Sequence, residues 1–128
     1  MKLRTQTSES QVDKDVLEVQ QRIKAFSDKI RSGELKGHSG KKITTIVAIG
    51  IGGSFLGPEF VYEALRYHDT SASQGMKLRF LANVDPIDLA RALDGVDIEE
   101  ALFVIVSKTF TTAETMLNAR TCRSHIVD

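Results

Sequence analysis

Hydroxyl side chains and one lysine are concentrated in the stretch "SKTFTTAET", residues 107–115, which directly follows the apolar run "ALFVIV". Hydroxyl groups and a lysine ammonium can donate several hydrogen bonds to one anion, and such bonds are stronger when the acceptor is charged. A second apolar run, "ITTIVAIG", leads into "IGGS", where glycine would let the backbone come close to a ligand. The two endings together favour a binding site for a phosphate monoester.

Three short apolar runs supply the strands that must position these residues, at 43–50, 76–82 and 101–106. Each run is rich in β-branched or aromatic residues and leads into a segment with the signals of a helix start. The first and third runs hardly alternate, which is typical of strands covered on both faces. The alternation of strands and helices predicts an α/β protein with a doubly wound parallel sheet.

Capping residues indicate where the helices begin. Asp85 is a good N-cap, with Pro86 at the first helical position. Ser54 is a candidate N-cap after the first run, and Thr111 and Glu114 have the spacing of a capping box after the third. Each helix is therefore expected to start just beyond the strand that precedes it.

The order of the strands decides whether the two loops meet. In an open parallel sheet, ligands bind beyond the carboxyl ends of the strands, where the strand order reverses. With the flavodoxin-like order 2-1-3, the first and third strands are neighbours and their following loops face one crevice. Each loop also leads into a helix N-terminus, whose free N–H groups and dipole attract an anion.

The N-terminal part of the chain is predicted to form a helix, because its apolar residues are spaced four and three apart. These residues are Val12, Val16, Val19, Ile23, Phe26 and Ile30. The stripe is short for a coiled coil, so we favour packing against a sheet or a neighbouring domain. The glycine-rich stretch "RSGELKGHSGKK" is typical of a connection, which predicts a division into residues 1–40 and 41–128.

Two nucleotide-binding motifs do not fit the glycine-rich loop. A dinucleotide fingerprint, G-x-G-x-x-G, fails at Phe55. A Walker A loop fails at Pro58 and Glu59, where lysine and serine are needed. A phosphate ligand other than a nucleotide is therefore favoured.

Composition excludes several classes of function. Seventeen basic and seventeen acidic residues cancel, so no broad field favours nucleic acid or an anionic membrane. The longest apolar runs have about six residues, against the ~20 that a membrane-spanning helix needs. The first residues lack the apolar core of a signal peptide, and Cys122 has no partner for an internal disulfide. We expect a cytoplasmic protein without nucleic-acid or membrane partners.

No metal site is indicated by the residues that could ligate one. His38, His68 and His125 have no ligand spacing to each other or to Cys122. They are expected to be surface or packing residues, and no metal or other cofactor is predicted.

With these observations in place, the sequence resembles the glucose-6-phosphate isomerase family, in its N-terminal sugar-isomerase (SIS) domain. The resemblance rests on "IGIGGSFLGP" and the later "SKTFTTAET", with "FLANVDPIDLARALDGVD" between them and "RIKAFSDKIRSGELKGHSGKKI" before them. It covers roughly residues 12–128. Phe55 stands where the family commonly has an acidic residue, a departure that leaves the phosphate donors intact.

The resemblance implies that the S-K-T-x-T-T loop surrounds the substrate phosphate. The matching residues are Ser107, Lys108, Thr109, Thr111 and Thr112. Ser107, Thr109 and Thr112 are the expected side-chain donors. Gly53 and Ser54 resemble the pair that lines the sugar-phosphate pocket.

Plainer roles remain open for several of these residues. Thr111 and Glu114 could form only a capping box. The resemblance, however, implies an acidic residue near the reacting sugar at position 114, so an accessory role of Glu114 in proton handling stays open. Ser54 could be only an N-cap, and Gly53 could serve only backbone geometry. Lys108 lies beside four hydroxyls at a helix start, which favours anion binding over simple solvation.

The implied reaction interconverts glucose 6-phosphate and fructose 6-phosphate, in glycolysis and gluconeogenesis. A base moves a proton between C2 and C1 through a cis-enediolate, which needs a carboxylate, a cation for the enediolate oxygen and an acid–base group to open the ring. In the family these are a glutamate, an arginine, and a histidine with a lysine, later in a longer chain or from the partner subunit. None of those motifs occurs in these 128 residues. We therefore expect a truncated SIS domain of about three strands, inactive alone, and a homodimer for the full-length enzyme.

Two other interpretations compete with the isomerase. A non-catalytic SIS module could bind a sugar phosphate as a regulatory signal, but it would not be expected to keep the long N-terminal helix or the whole of "SKTFTTAET". A role in protein interaction alone could rest on the apolar stripe of residues 12–30, and it explains neither loop.

Overall fold

A computed structural model describes residues 9–68 and 75–127 of the chain. The chain divides into two compact units, the first ending at Leu35 and the second beginning at Lys36. The first unit contains α1 (Glu9–Ser32), which confirms the helix that the apolar spacing predicts. The stripe residues from Val12 to Phe26 are 48–63% exposed.

The second unit is built on a sheet of three parallel strands: β1 (Thr45–Ile49), β2 (Lys77–Leu81) and β3 (Ala101–Ile105). Their order is β2-β1-β3, so β1 is central and the order reverses there. In the register, Ile49 is aligned with Leu81 on one side and with Ile105 on the other. All three predicted strands are present, in the order on which the predicted site depends.

Helices cover both faces of this sheet. On one face α2 (Gly53–Leu65) places Phe55 and Tyr62 against Phe80 of β2, with edge-on ring contacts at centroid distances of 5.4 and 6.0 Å. On the other face lie α3 (Pro86–Leu93) and α4 (Ala113–Val127), with a short 3₁₀ turn, Ile98–Glu100, before β3. The core on that face consists of Val47, Ile49, Leu81, Ala92 and Cys122. The doubly wound α/β prediction is confirmed.

The helix starts agree with the sequence at one of three places. Asp85 caps α3, because its Oδ1 accepts the N–H of Ile87 at 2.7 Å and Pro86 is the first helical residue. The prediction for Ser54 is wrong, since the N-cap of α2 is Gly52, two residues earlier, and the helix has no side-chain cap. Glycine at that position allows the backbone to turn with a φ of 56°.

The predicted capping box of Thr111 and Glu114 is also wrong. The carbonyl of Thr112 accepts the N–H of Met116 at 3.0 Å, so the helix begins one residue later than the box requires. The Thr111 hydroxyl instead pairs with that of Thr109. The capping box therefore does not account for these two residues.

The burial of the strands departs from the prediction at β3. β1 has neighbours on both sides and is buried or half-buried throughout. β3 has one neighbour, and its Val104 and Ile105 are 36% and 38% exposed. The lack of alternation in "ALFVIV" therefore does not correspond to full coverage in the part of the chain that the structure describes.

Charged residues at the amino ends of the strands are paired with one another. Lys41 Nζ lies 3.0 Å from Asp97 Oδ2 and 2.6 Å from Glu99 Oε2. Hydrogen bonds from Lys41 and from the backbone of Glu99 hold the pKa of Asp97 below its usual value, and bonds to Glu99 and Asp97 raise the pKa of Lys41. Thr44 Oγ1 donates to Glu100 Oε2 at 2.9 Å. Lys41, Asp97, Glu99 and Glu100 therefore all have polar partners at this end of the sheet.

Candidate functional site

The loops that follow β1 and β3 lie against each other at the carboxyl end of the sheet. The N–H of Val106 donates to the carbonyl of Ile49 at 2.8 Å, which carries the pairing of the two strands to their ends. A Cβ on Gly50 would lie 3.2 Å from the carbonyl oxygen of Val106 and 3.0 Å from the Cβ of Ser54. A Cβ at Gly50 would therefore be tightly confined between the two predicted loops, which share one edge.

The glycine-rich loop offers backbone and free space. The Gly52 carbonyl accepts the N–H groups of Phe55 and Leu56, at 3.0 and 2.8 Å, which closes the first turn of α2. Gly53 is the first residue of that helix, and no atom lies within 4 Å of the position where its Cβ would be. A ligand can approach the backbone here, next to the positive end of a helix dipole. Ser54 lies in the first turn and is half-buried.

The hydroxyl loop, residues 107–112, offers side-chain donors. Thr109 and Thr111 place their Oγ1 atoms 2.6 Å apart, and Ser107 Oγ lies 3.4 Å from Thr112 Oγ1. Ser107 Oγ also accepts the N–H of Phe110 at 3.1 Å. Four of the five predicted phosphate-binding side chains are thus gathered into two hydroxyl pairs within one turn of chain. Each pair could exchange its mutual contact for a bond to an anion oxygen.

Lys108, the fifth predicted phosphate-binding residue, extends from the same loop. Its side chain is exposed and makes no ion pair or hydrogen bond within residues 9–68 and 75–127. A cation without an acidic partner in those ranges, beside hydroxyl donors and just before the N-terminus of α4, is a suitable arrangement for an anion.

Glu114 is in the first turn of α4 and exposed. Its carboxylate makes no ion pair or hydrogen bond with any residue that the structure describes. A carboxylate in the first turn is stabilised by the helix dipole, and this carboxylate remains accessible to a ligand in the neighbouring loop.

Phe55, where the sequence resemblance led us to expect an acidic residue, packs against the sheet. Its ring packs edge-on against Phe80 beneath α2, so it contributes to the sheet–helix interface. A carboxylate at this position would lose that contact. The aromatic residue therefore changes the packing under the glycine-rich loop and adds no group to the site.

The loop after β2 contains residues that the sequence did not single out. Asp88 Oδ2 accepts the N–H groups of Ala82 and Asn83, both at 3.0 Å. Asn118 of α4 is buried and donates to the carbonyl of Asn83 at 3.0 Å. The bonds to Asp88 fix the third loop at the carboxyl end of the sheet to α3, and the bond from Asn118 fixes it to α4. Their only sequence signal was an aspartate in the first turn of α3, which is too common to identify such a contact.

Metal ligation and thiol chemistry find no support among the described residues. No group of three or more His, Cys, Asp or Glu side chains that could hold a metal ion occurs in the described ranges. Cys122 lies in the core, where burial raises the pKa of its thiol and lowers its reactivity. None of the helices described is long and apolar enough to cross a membrane.

Comparison with known proteins decides the family. The family model described as phosphoglucose isomerase matches residues 3–128. The chain belongs to the phosphoglucose isomerase family. The cytosolic glucose-6-phosphate isomerase of Spinacia oleracea is 58% identical over 114 residues, and that of Zea mays is 55% identical over 115 residues. Each match covers 88% of this chain and 20% of the relative, so the chain spans about a fifth of the length of these family members.

A solved structure supports the fold of this family member. The crystal structure of a hypothetical protein from Thermus thermophilus is similar to the chain with a TM-score of 0.58 at 27% sequence identity. The similarity covers 77% of this chain and 22% of the other. The α/β fold is therefore seen as one part of a longer polypeptide.

Proposed function

We propose that the chain is the phosphate-binding part of a glucose-6-phosphate isomerase, which interconverts glucose 6-phosphate and fructose 6-phosphate in glycolysis and gluconeogenesis. The observation that supports this most directly is the pair of adjoining loops at the carboxyl end of β1 and β3. One loop supplies four hydroxyls and a lysine that has no acidic partner among the described residues, and the other supplies open backbone at a helix N-terminus. Relatives more than half identical to the chain are named for this isomerase activity.

The phosphate is assigned to the hydroxyl loop. Ser107, Thr109 and Thr112 donate hydrogen bonds to its oxygens, and Lys108 neutralises part of its charge. Hydrogen bonds to a charged acceptor contribute about 1.5–3 kcal/mol each, and a helix N-terminus adds ~0.3–1 kcal/mol. Thr111 reaches the same anion through its contact with Thr109, at 2.6 Å.

The sugar is assigned to the glycine-rich loop. Gly53 leaves space for the substrate to approach the start of α2, and Ser54 offers a hydroxyl in the same turn. The two loops are assigned different parts of the substrate because a phosphate needs many hydrogen-bond donors around one charge, whereas a neutral sugar ring needs space and only a few donors.

The proton transfer between C2 and C1 requires groups beyond these two loops. It needs a carboxylate base, a cation near the enediolate oxygen and a group that opens the ring. The loops hold the substrate by its phosphate and so fix the distance of C1 and C2 from those groups. Glu114 is accessible beside the hydroxyl loop and is proposed as an accessory in proton handling.

A titration tests the phosphate assignment. Ser107→Ala and Thr109→Ala are each titrated with 6-phosphogluconate and with gluconate, which differ only in the phosphate. Losing one bond of about 1.5–3 kcal/mol to a charged group should weaken 6-phosphogluconate about tenfold or more, while the weak binding of gluconate should hardly change.

Thr121→Ala is the matched control, because it removes a hydroxyl of α4 that donates to the carbonyl of Leu117 at 3.0 Å, outside the loop. It should leave both affinities unchanged. If Ser107→Ala and Thr109→Ala weakened both ligands equally, or neither, the hydroxyl loop would be a turn before α4 and no phosphate site.

An activity assay tests the division between binding and catalysis. The 128-residue chain alone should show no conversion of fructose 6-phosphate above background, because it lacks the family's motif for the proton-transferring glutamate. Protein-dependent conversion by the pure chain would contradict this and would make Glu114 the leading candidate for the base. The longest natural polypeptide that contains these residues should be active, and inactivity there would favour a regulatory sugar-phosphate-binding module.

The cellular setting follows from the same proposal. Relatives from Spinacia oleracea and Arabidopsis thaliana are named as cytosolic forms, so a cytoplasmic location is proposed for this protein. A hexose 6-phosphate is the proposed small-molecule partner, a homodimer the proposed state of the whole enzyme, and no cofactor, nucleic acid or membrane is assigned.

A further inference from the structure

We infer that Phe110 is a positioning residue of the hydroxyl loop, and that its left-handed backbone is what makes the loop competent to bind phosphate. This inference rests on the proposed function of that loop. Among the residues that the structure describes, Phe110 is the one residue other than glycine with a positive φ, at 55°. Left-handed backbone is unfavourable for residues with a side chain and an outlier for bulky ones.

The side chain of Phe110 does not explain this conformation. The residue is 59% exposed, so packing among the described residues provides little to offset the strain. Glycine or asparagine would adopt the same backbone at lower cost. A strained, exposed aromatic residue in a loop of hydroxyls is the kind of outlier from which a functional constraint can be inferred.

The position of Phe110 within the loop indicates what the conformation does. The two hydroxyl pairs, Thr109 with Thr111 and Ser107 with Thr112, both enclose residue 110 in sequence. Its N–H donates to Ser107 Oγ at 3.1 Å, which holds the turn closed. Reversal of the chain at this residue therefore brings the hydroxyls of 107 and 109 back to those of 112 and 111.

Ser107 has two roles in this arrangement, since its hydroxyl both closes the turn and belongs to a hydroxyl pair. The loop is thus preorganised for a phosphate before any ligand arrives.

A series of substitutions at residue 110 of the full chain separates the backbone from the ring. Phe110→Gly permits the left-handed conformation without a ring, and Phe110→Asn tolerates it with a small side chain. Phe110→Val disfavours a positive φ, and Phe110→Pro fixes φ near −65° and removes the N–H that Ser107 accepts. The measurement is the ratio of affinities for 6-phosphogluconate and gluconate, with a thermal unfolding curve for each variant.

We expect Phe110→Gly and Phe110→Asn to keep or increase this ratio, and Phe110→Val to lower it. Phe110→Pro should lower it about tenfold or more, the loss expected when one hydroxyl donor of the loop no longer reaches the charged phosphate. If Phe110→Pro does not fold, Phe110→Val against Phe110→Gly decides the matter.

Three outcomes overturn the inference. Equal losses in the Gly and Pro variants would assign the effect to the ring, and an unchanged ratio in a folded Pro variant would show that the turn is dispensable. If the unsubstituted chain does not distinguish 6-phosphogluconate from gluconate, the phosphate assignment itself fails and this inference fails with it.

Discussion

The two ends of the sheet treat polar groups in opposite ways. At the amino end, Lys41 is paired with Asp97 and Glu99, and Thr44 donates to Glu100. At the carboxyl end, Lys108 and the hydroxyl loop find no acidic partner among the described residues, and the hydroxyls bond only to each other and to the N–H of Phe110. Groups that satisfy one another contribute to stability, whereas a set of donors without a charged acceptor is available to a ligand.

The largest effect is expected at Gly50, where the two loops meet. Gly50→Ala would place a Cβ 3.0–3.2 Å from Ser54 and the backbone of Val106, so it should lower the free energy of unfolding by about 1–3 kcal/mol through overpacking and weaken 6-phosphogluconate as the loops separate. Chemical denaturation and the same ligand titration measure the two effects.

Gly53→Ala is the matched control, since its Cβ would meet no atom within 4 Å. It should keep or slightly raise stability, because Gly53 is the first residue of α2 and its Cβ would meet open space. It should still weaken the ligand if the sugar approaches there. Equal stability in the two variants would mean that the atoms around Gly50 shift to accept a Cβ without cost, which would contradict the expected overpacking.

A pair of threonine substitutions compares the two ends directly. Thr44→Ala removes a part-buried bond to a carboxylate, so unfolding should become easier by about 1–3 kcal/mol while 6-phosphogluconate binds as before. Thr109→Ala should weaken 6-phosphogluconate and leave the free energy of unfolding nearly unchanged, because the exposed Thr109 hydroxyl bonds only to another hydroxyl. The test is to measure the unfolding free energy and the affinity for 6-phosphogluconate of both variants. If both variants lost the same stability and the same affinity, the amino end of the sheet would not be more structural, nor the carboxyl end more suited to binding.

Glu114→Gln should have a smaller effect. The carboxylate has no hydrogen-bond partner among the described residues, so its contribution to stability is the interaction with the dipole of α4, roughly 0.3–1 kcal/mol. Turnover of the longest natural polypeptide should be unchanged if Glu114 acts only on the helix. A fall in kcat at unchanged stability would instead support its proposed accessory role.

The smallest effect is expected from the charges at the amino end, because they are exposed to solvent. The pKa of Asp97 is lowered in the folded chain, so its contribution to stability is present above its ordinary pKa near 3.8 and is lost as the pH falls through the lower, folded value. As the pH is lowered from about 5 to below the folded pKa of Asp97, the unfolding free energy of Asp97→Asn should therefore fall less than that of the unsubstituted chain. Parallel pH curves would show that the pair with Lys41 contributes nothing.

Prediction from sequence succeeded where the local signal was strong. The three strands, the N-terminal helix and the Asp85 cap each follow from short patterns of apolar residues or from the preference of one residue type for one position. The N-cap of α2 lies two residues before the predicted Ser54, and α4 begins one residue later than a cap at Thr111 would place it. Serine and threonine can cap a helix or bond within a loop, and only the surrounding structure selects between these.

The sequence by itself determined the class of the fold, the residue types gathered after two of its strands and the resemblance to the isomerase family. Apolar periodicity is a local property, and the motif residues are consecutive in the chain. The tertiary structure alone decided that β1 lies between β2 and β3, that Gly50 abuts Val106, and that the loop after β2 is tied to α4 by Asn118. It also decided the left-handed turn at Phe110, because no local preference of phenylalanine favours a positive φ. Contacts between residues far apart in sequence depend on how the elements pack. That packing also decides which hydrogen-bond donors have a partner within the protein and which can bind a ligand.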